Sequence, residues 1–108
     1  DRSLTPRSFM TEEQAMLVDW LLEHADLIPV TARGTEEISR VQIPFRSWAV
    51  TTHGAVILRP DGTPDSDWKA HMLECLSSYA DRLTSMQHII TELMDARGIN
   101  AWARLNYE

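Results

Sequence analysis

The sequence is short of several things, and each shortage removes a class of protein. It has one cysteine, Cys75, so no disulfide can close within the chain and no second thiolate is available for a zinc site. Lys69 is the one lysine, and with nine arginines it faces 16 acidic residues, a formal charge of −6. A chain that coats a phosphate backbone by counterion release carries the opposite balance, so nucleic acid is not expected as a partner. No apolar run approaches the roughly 20 residues of a membrane-spanning helix, and the first ten residues lack the apolar stretch of a secretory signal. No membrane partner is expected, and the reading is a soluble, cytoplasmic protein. Glycine and proline number 4 and 5, too few and too scattered for a collagen-like repeat or a low-complexity linker. What remains is 108 residues, 44% hydrophobic and 24% charged, the composition of a globular domain or of part of one.

The chain falls into two compositional halves. Thr11 and Gln14 have the spacing of a capping box, and Met16, Leu17, Trp20, Leu21 and His24 follow at helical intervals, which predicts an amphipathic helix over 11–24. Asp26 to Thr31 is a short continuous apolar run, the pattern of a buried parallel strand. Pro29 is awkward there, because it removes a ladder donor. A short helix is predicted from Gly34 or Thr35 through Val41, ended by Pro44. Trp48 to Thr51 reads as a second buried strand, and Ala55 to Leu58 with the Pro60-Asp61-Gly62 turn signal reads as a hairpin. Strands alternating with helices through short loops predict an α/β fold with a parallel sheet covered by helices.

After Pro64 the pattern changes. Trp68, Met72, Leu76, Tyr79, Leu83, Met86, Ile90 and Leu93 recur at spacings of three and four, and Gly98 stands where a helix C-terminal cap is expected. A single helix over 66–97 would be about 48 Å long, so a break is predicted near Ser77-Ser78 or Thr84-Ser85. A strand is predicted over Ala101–Tyr107.

In open α/β sheets ligands sit beyond the carboxyl ends of the strands. Thr31, leading into Ala32-Arg33-Gly34, and Thr51-Thr52-His53-Gly54 occupy such ends, and Asp1-Arg2-Ser3-Leu4 lies where a preceding strand would end. A hydroxyl at a strand end followed by free backbone amides is a seat for phosphate. Ordinary polar loop residues closing off strands would look the same, so spacing alone carries little weight.

Taken together, these segments resemble the haloacid dehalogenase superfamily of Mg-dependent phosphohydrolases, in the cap-bearing, sugar-phosphatase-like branch. Asp1-Arg2-Ser3-Leu4 is similar to the second half of the family's Asp-x-Asp-Gly-Thr-Leu motif. Val30-Thr31-Ala32-Arg33 is similar to its strand ending in Thr-Gly-Arg, and His53-Gly54-Ala55 to its Asn-Gly-Ala. The resemblance covers residues 1–58 well and the later helices only by position.

It implies a three-layer Rossmann-like parallel sheet over 1–64, the incomplete N-terminal half of the core, with 65–108 as the beginning of an α+β cap. It also implies a hydrolase of the phosphatase class, acting on a small phosphorylated metabolite, a sugar phosphate by analogy, through an aspartyl-phosphate. Asp1 would be the general acid and base, with its backbone carbonyl on Mg²⁺, and Thr31 would hydrogen-bond the phosphoryl group. Arg33, His53 and Gly54 would meet the substrate.

The departures are as specific as the matches. The nucleophilic aspartate would precede Asp1 by two positions, and the family's lysine and later acidic ligands would follow the cap, so residues 1–108 alone are expected to be inactive. Arg2, Ser3, Ala32 and His53 replace the family's glycine, threonine, glycine and asparagine. Two alternatives stand beside the phosphohydrolase: a non-catalytic binding or subunit-contact module of the same fold, and a helical interaction domain using the stripe from Trp68 to Leu93.

The remaining candidates read as structural. His24, His53, His71 and His88 include no pair three or four apart, so no histidine metal site is expected. Cys75 reads as a small core residue, and so do the Met and Trp residues of the stripe. Glu12-Glu13 and Glu36-Glu37 suit the first turns of helices, where negative charge opposes the dipole.

Overall fold

The computed structural model describes residues 8–105. Helix α1 (Glu12–His24) begins with the expected reciprocal cap. The Gln14 amide donates to the Thr11 hydroxyl at 3.2 Å and the Thr11 amide to the Gln14 side chain at 3.0 Å, which satisfies two orphan donors of the first turn. At the other end the His24 ring stacks on Trp20 at 4.5 Å, with Nδ1 2.8 Å from the Trp20 carbonyl. Helix α2 (Thr35–Ser39) starts from Gly34 and carries an Arg40–Glu36 ion pair.

Strands β1 (Ala49–Thr51) and β2 (Val56–Leu58) pair antiparallel, with Ala49 opposite Leu58, Val50 opposite Ile57 and Thr51 opposite Val56. A single tight turn, Thr52–Gly54, joins them through Ala55. The other edge of β1 runs parallel to the segment around Val30, bridged at Val30–Val50. The Thr31 amide donates to the Val50 carbonyl and the Val50 amide to the Pro29 carbonyl, both at 2.9 Å. This pairing uses the carbonyl of Pro29 and the amide of Thr31, so the donor that proline lacks is not needed on this edge.

Helix α3 (Ser66–Ser77) follows the hairpin directly and packs on β2. The chain breaks at Ser78-Tyr79 and resumes as α4 (Ala80–Ala96), so of the two predicted break points the Ser77-Ser78 one is used. There the Ser77 hydroxyl donates to the Glu74 carbonyl at 3.0 Å, and the Tyr79 amide reaches back only to Leu76. Such local bonds compete with the helical ladder and tighten its last turn. Gly98, at φ 64°, closes α4 as the sequence predicts: the Gly98 amide donates to Asp95 and that of Ile99 to Met94, a Schellman motif.

The architecture is therefore mixed α/β, with four helices and a two-stranded antiparallel sheet among the described residues. Four expectations are corrected. The strand at 26–31 is reduced to the bridge at Val30. No strand forms over 101–105; the Ala101 amide turns back to the Ile99 carbonyl, and the Gln87 side chain takes the Ala103 carbonyl at 3.0 Å. Two of the groups a ladder would use are thus taken by other partners, while Asn106 and Tyr107 lie outside the described residues. Finally, the stripe on α3 and α4 is not core. Ala49, Val56 and Leu58 form the buried apolar cluster, whereas Leu76, Leu83, Met86 and Leu93 are 41–55% exposed. Cys75 is exposed as well. The radius of gyration, 17.9 Å, exceeds the roughly 13 Å of a compact domain of this length.

Candidate functional site at the strand ends

The parallel run of residues 29–33 beside β1 brings two of the sequence-predicted segments together. Beyond the bridge, the Thr52 amide donates to the Arg33 carbonyl at 2.7 Å, so Thr31–Arg33 and Thr51–Gly54 lie side by side at the carboxyl ends of their strands. The Thr31 hydroxyl accepts from the Arg33 amide at 3.1 Å. That bond occupies a lone pair and leaves the O–H free to donate outward. Thr51 is completely buried, its hydroxyl 3.4 Å from that of Thr35 at the start of α2. The ion pairs among the described residues join Arg40 to Glu36 and Arg59 to Asp65, and the exposed Arg33 has no carboxylate partner among them.

The turn that carries His53 is strained. Thr52, His53 and Gly54 all have positive φ, at 51°, 55° and 91°. For β-branched threonine this is an outlier, and each non-glycine residue so held costs on the order of 1–3 kcal/mol. Among the hydrogen bonds that hold the run are Thr52 N–H to Arg33, Ala55 N–H to the Thr52 carbonyl at 3.0 Å, and the Trp68 indole N–H to the Gly54 carbonyl at 3.0 Å. His53 itself is exposed.

Trp68 comes from α3, whose start is fixed by Asp65. The Asp65 carboxylate caps the helix through the Trp68 amide at 3.0 Å and accepts Arg59 Nε at 3.0 Å and Nη2 at 2.9 Å. The Trp68 amide, followed by the Arg59 guanidinium, holds its pKa below the ordinary carboxylate value of 3.8. Asp61, in the preceding turn, is lowered too, first by the Thr63 hydroxyl at 2.6 Å and then by the Thr63 amide at 2.9 Å.

Between the hairpin and helices α3 and α4 lies an apolar cleft of about 650 Å³, lined among others by Thr52, Ile57, Trp68, Met72 and Leu83. Its Thr35 and Thr52 end reaches the strand ends.

Thr31, Arg33, His53 and Gly54 are thus assembled on neighbouring backbone segments, and Asp1 lies outside the described residues. Among the described residues no three His, Cys, Asp or Glu side chains converge. Sequence reasoning missed two arrangements. Trp68 read as a stripe residue, and its bond to Gly54, 14 residues away, leaves no local signal. His71 and Cys75, four apart on α3, place Sγ 3.7 Å from Nε2; scanning the His-to-Cys spacing would have found them.

No family model and no curated protein matches this chain.

Proposed function

We propose that this chain is the N-terminal part of a Mg-dependent phosphohydrolase acting on a small phosphorylated metabolite, with its sheet part of a three-layer Rossmann-like core. One observation carries the reading. The segment before Thr31 meets β1 in a parallel bridge at Val30–Val50, the two being connected through α2, and the residues that follow them, Arg33 and Thr52, are joined by the Thr52 to Arg33 hydrogen bond. Carboxyl ends of adjacent parallel strands are where such folds bind ligands.

Within this reading the Thr31 O–H donates to a phosphoryl oxygen and the Arg33 guanidinium balances its charge. His53 and Gly54 face the leaving group. Asp1 protonates the leaving oxygen and then takes a proton from the attacking water. Bound Mg²⁺ would neutralise phosphate charge, with the Asp1 backbone carbonyl as one of its ligands.

The test is phosphate release by the full natural polypeptide from p-nitrophenyl phosphate and a panel of sugar phosphates, with and without Mg²⁺. Mg-dependent turnover is expected, reduced about 10²-fold or more by Asp1→Asn and about 10²-fold by Thr31→Val. No turnover on any ester, or an Asp1→Asn variant equal to wild type, overturns the proposal. A second reading, a helical interaction module, is favoured by the exposed α4 stripe. Phosphate release lost in Asp1→Asn argues against it as the principal role.

A further inference from the structure

We infer that Trp68 is a positioning residue for the strand-end site, holding the Thr52–His53–Gly54 turn in its left-handed conformation from outside the turn. Three observations converge. The turn is intrinsically unfavourable, with φ of 51°, 55° and 91° in succession, so it persists only where other bonds over-determine it. Two of those bonds, Thr52 to Arg33 and Ala55 to Thr52, fix its first residue. Its last residue, Gly54, is held through its carbonyl by the Trp68 indole N–H at 3.0 Å.

The indole cannot wander, because its own backbone is tied to the same hairpin. The Asp65 amide donates to the Ile57 carbonyl at 2.8 Å, the Asp65 carboxylate accepts the Trp68 amide, and Arg59 grips that carboxylate. Gly54, β2, Asp65 and Trp68 therefore form a closed hydrogen-bonded ring, and His53 sits inside the segment that the ring closes. A phenylalanine at position 68 would fill the same place on β2 but could not donate. Trp68 touches no reacting atom in this scheme; it acts through His53.

The conformational claim stands on these contacts alone, and its effect on substrate rests on the phosphohydrolase reading. Both are tested with Trp68→Phe in the full natural polypeptide. By NMR, the Cα and Cβ shifts of Thr52 and His53 are expected to move away from left-handed values and the Ala55 amide to exchange at least tenfold faster, with α3 still helical. In steady-state assays with p-nitrophenyl phosphate, KM is expected to rise about threefold to tenfold, the worth of one hydrogen bond, with kcat changed less. In a His53→Ala background the same substitution is expected to change KM less than twofold, as two residues acting through one contact require.

Unchanged turn shifts and Ala55 exchange in Trp68→Phe overturn the positioning role, whether or not turnover is found. Changed shifts in a protein without phosphatase activity overturn the reading of the site and leave the positioning role standing. Full KM effects of both substitutions added together overturn the coupling through His53. If Trp68→Phe does not fold, the unaltered protein decides: its Trp68 indole N–H is expected to exchange at least tenfold more slowly than that of Trp102, which is 75% exposed, and equal rates overturn the claim.

Discussion

Gly54 and Asp65 show how single residues set the site's surroundings. At Gly54 a Cβ would meet nothing within 4 Å, yet φ is 91°, so any cost of a side chain there is conformational and not steric. Gly54→Ala is expected to lower stability by about 1–2 kcal/mol, read as a shifted urea midpoint with an unchanged slope. Asp65 acts through charge. Its folded-state pKa lies below 3.8, held down by the Trp68 amide and Arg59, so its contribution is present above that value and lost as pH falls through the folded value. Asn at this position keeps a cap acceptor but loses the pairing with Arg59. The stability gap between wild type and Asp65→Asn is therefore expected to be widest at neutral pH and to close as pH falls below 3.8, as checked by urea midpoints across a pH series. A gap that stays constant with pH would show that the Asp65 charge is not involved.

At the scale of elements, helix ends were legible, and so were the runs that became β1 and β2, but the strands expected at 26–31 and at Ala101 were not. Thr11 and Gln14 announce α1, Ser77-Ser78 the break between α3 and α4, and Gly98 the end of α4, because each acts on backbone groups within five residues. Thr11→Ala is expected to cost about 1 kcal/mol, measurable by thermal denaturation followed at the helical circular-dichroism band. The apolar run at 26–31 misled in extent, since a strand lasts only as long as a partner edge is available. Here the partner, β1, is three residues long. The run at Ala101 misled in kind, because its amide and the Ala103 carbonyl are claimed by Ile99 and Gln87. Of the candidate site, Thr31 and His53 were singled out from their places in the sequence, while the Thr52 to Arg33 bond that joins their segments left no local signal.

For the whole molecule the notable feature is how much apolar side chain stays in contact with water. Helix periodicity predicts a buried face for α4, yet Met86 is 55% and Leu93 49% exposed, and Ile89, outside that stripe, is 63% exposed. In this arrangement Met86→Lys and Ile89→Glu are expected to shift stability by no more than about 0.5 kcal/mol and to reduce binding of an apolar dye such as ANS. A loss of several kcal/mol would instead show that this face is covered. No helix among the described residues is long and apolar enough to cross a membrane.

What the sequence by itself determined is local: where helices begin, break and end, and which short runs favour extended backbone. Those outcomes depend on hydrogen bonds between near neighbours and on φ preferences, both written into a few adjacent residues. What only the tertiary structure decided is which edges meet. The Val30–Val50 bridge spans 20 residues and the Trp68–Gly54 bond 14, and such closures are chosen by what can be buried and paired together, not by any residue's own preference. The strained turn at Thr52–Gly54 belongs to this second kind, since Thr52 alone would avoid the conformation that its distant partners impose.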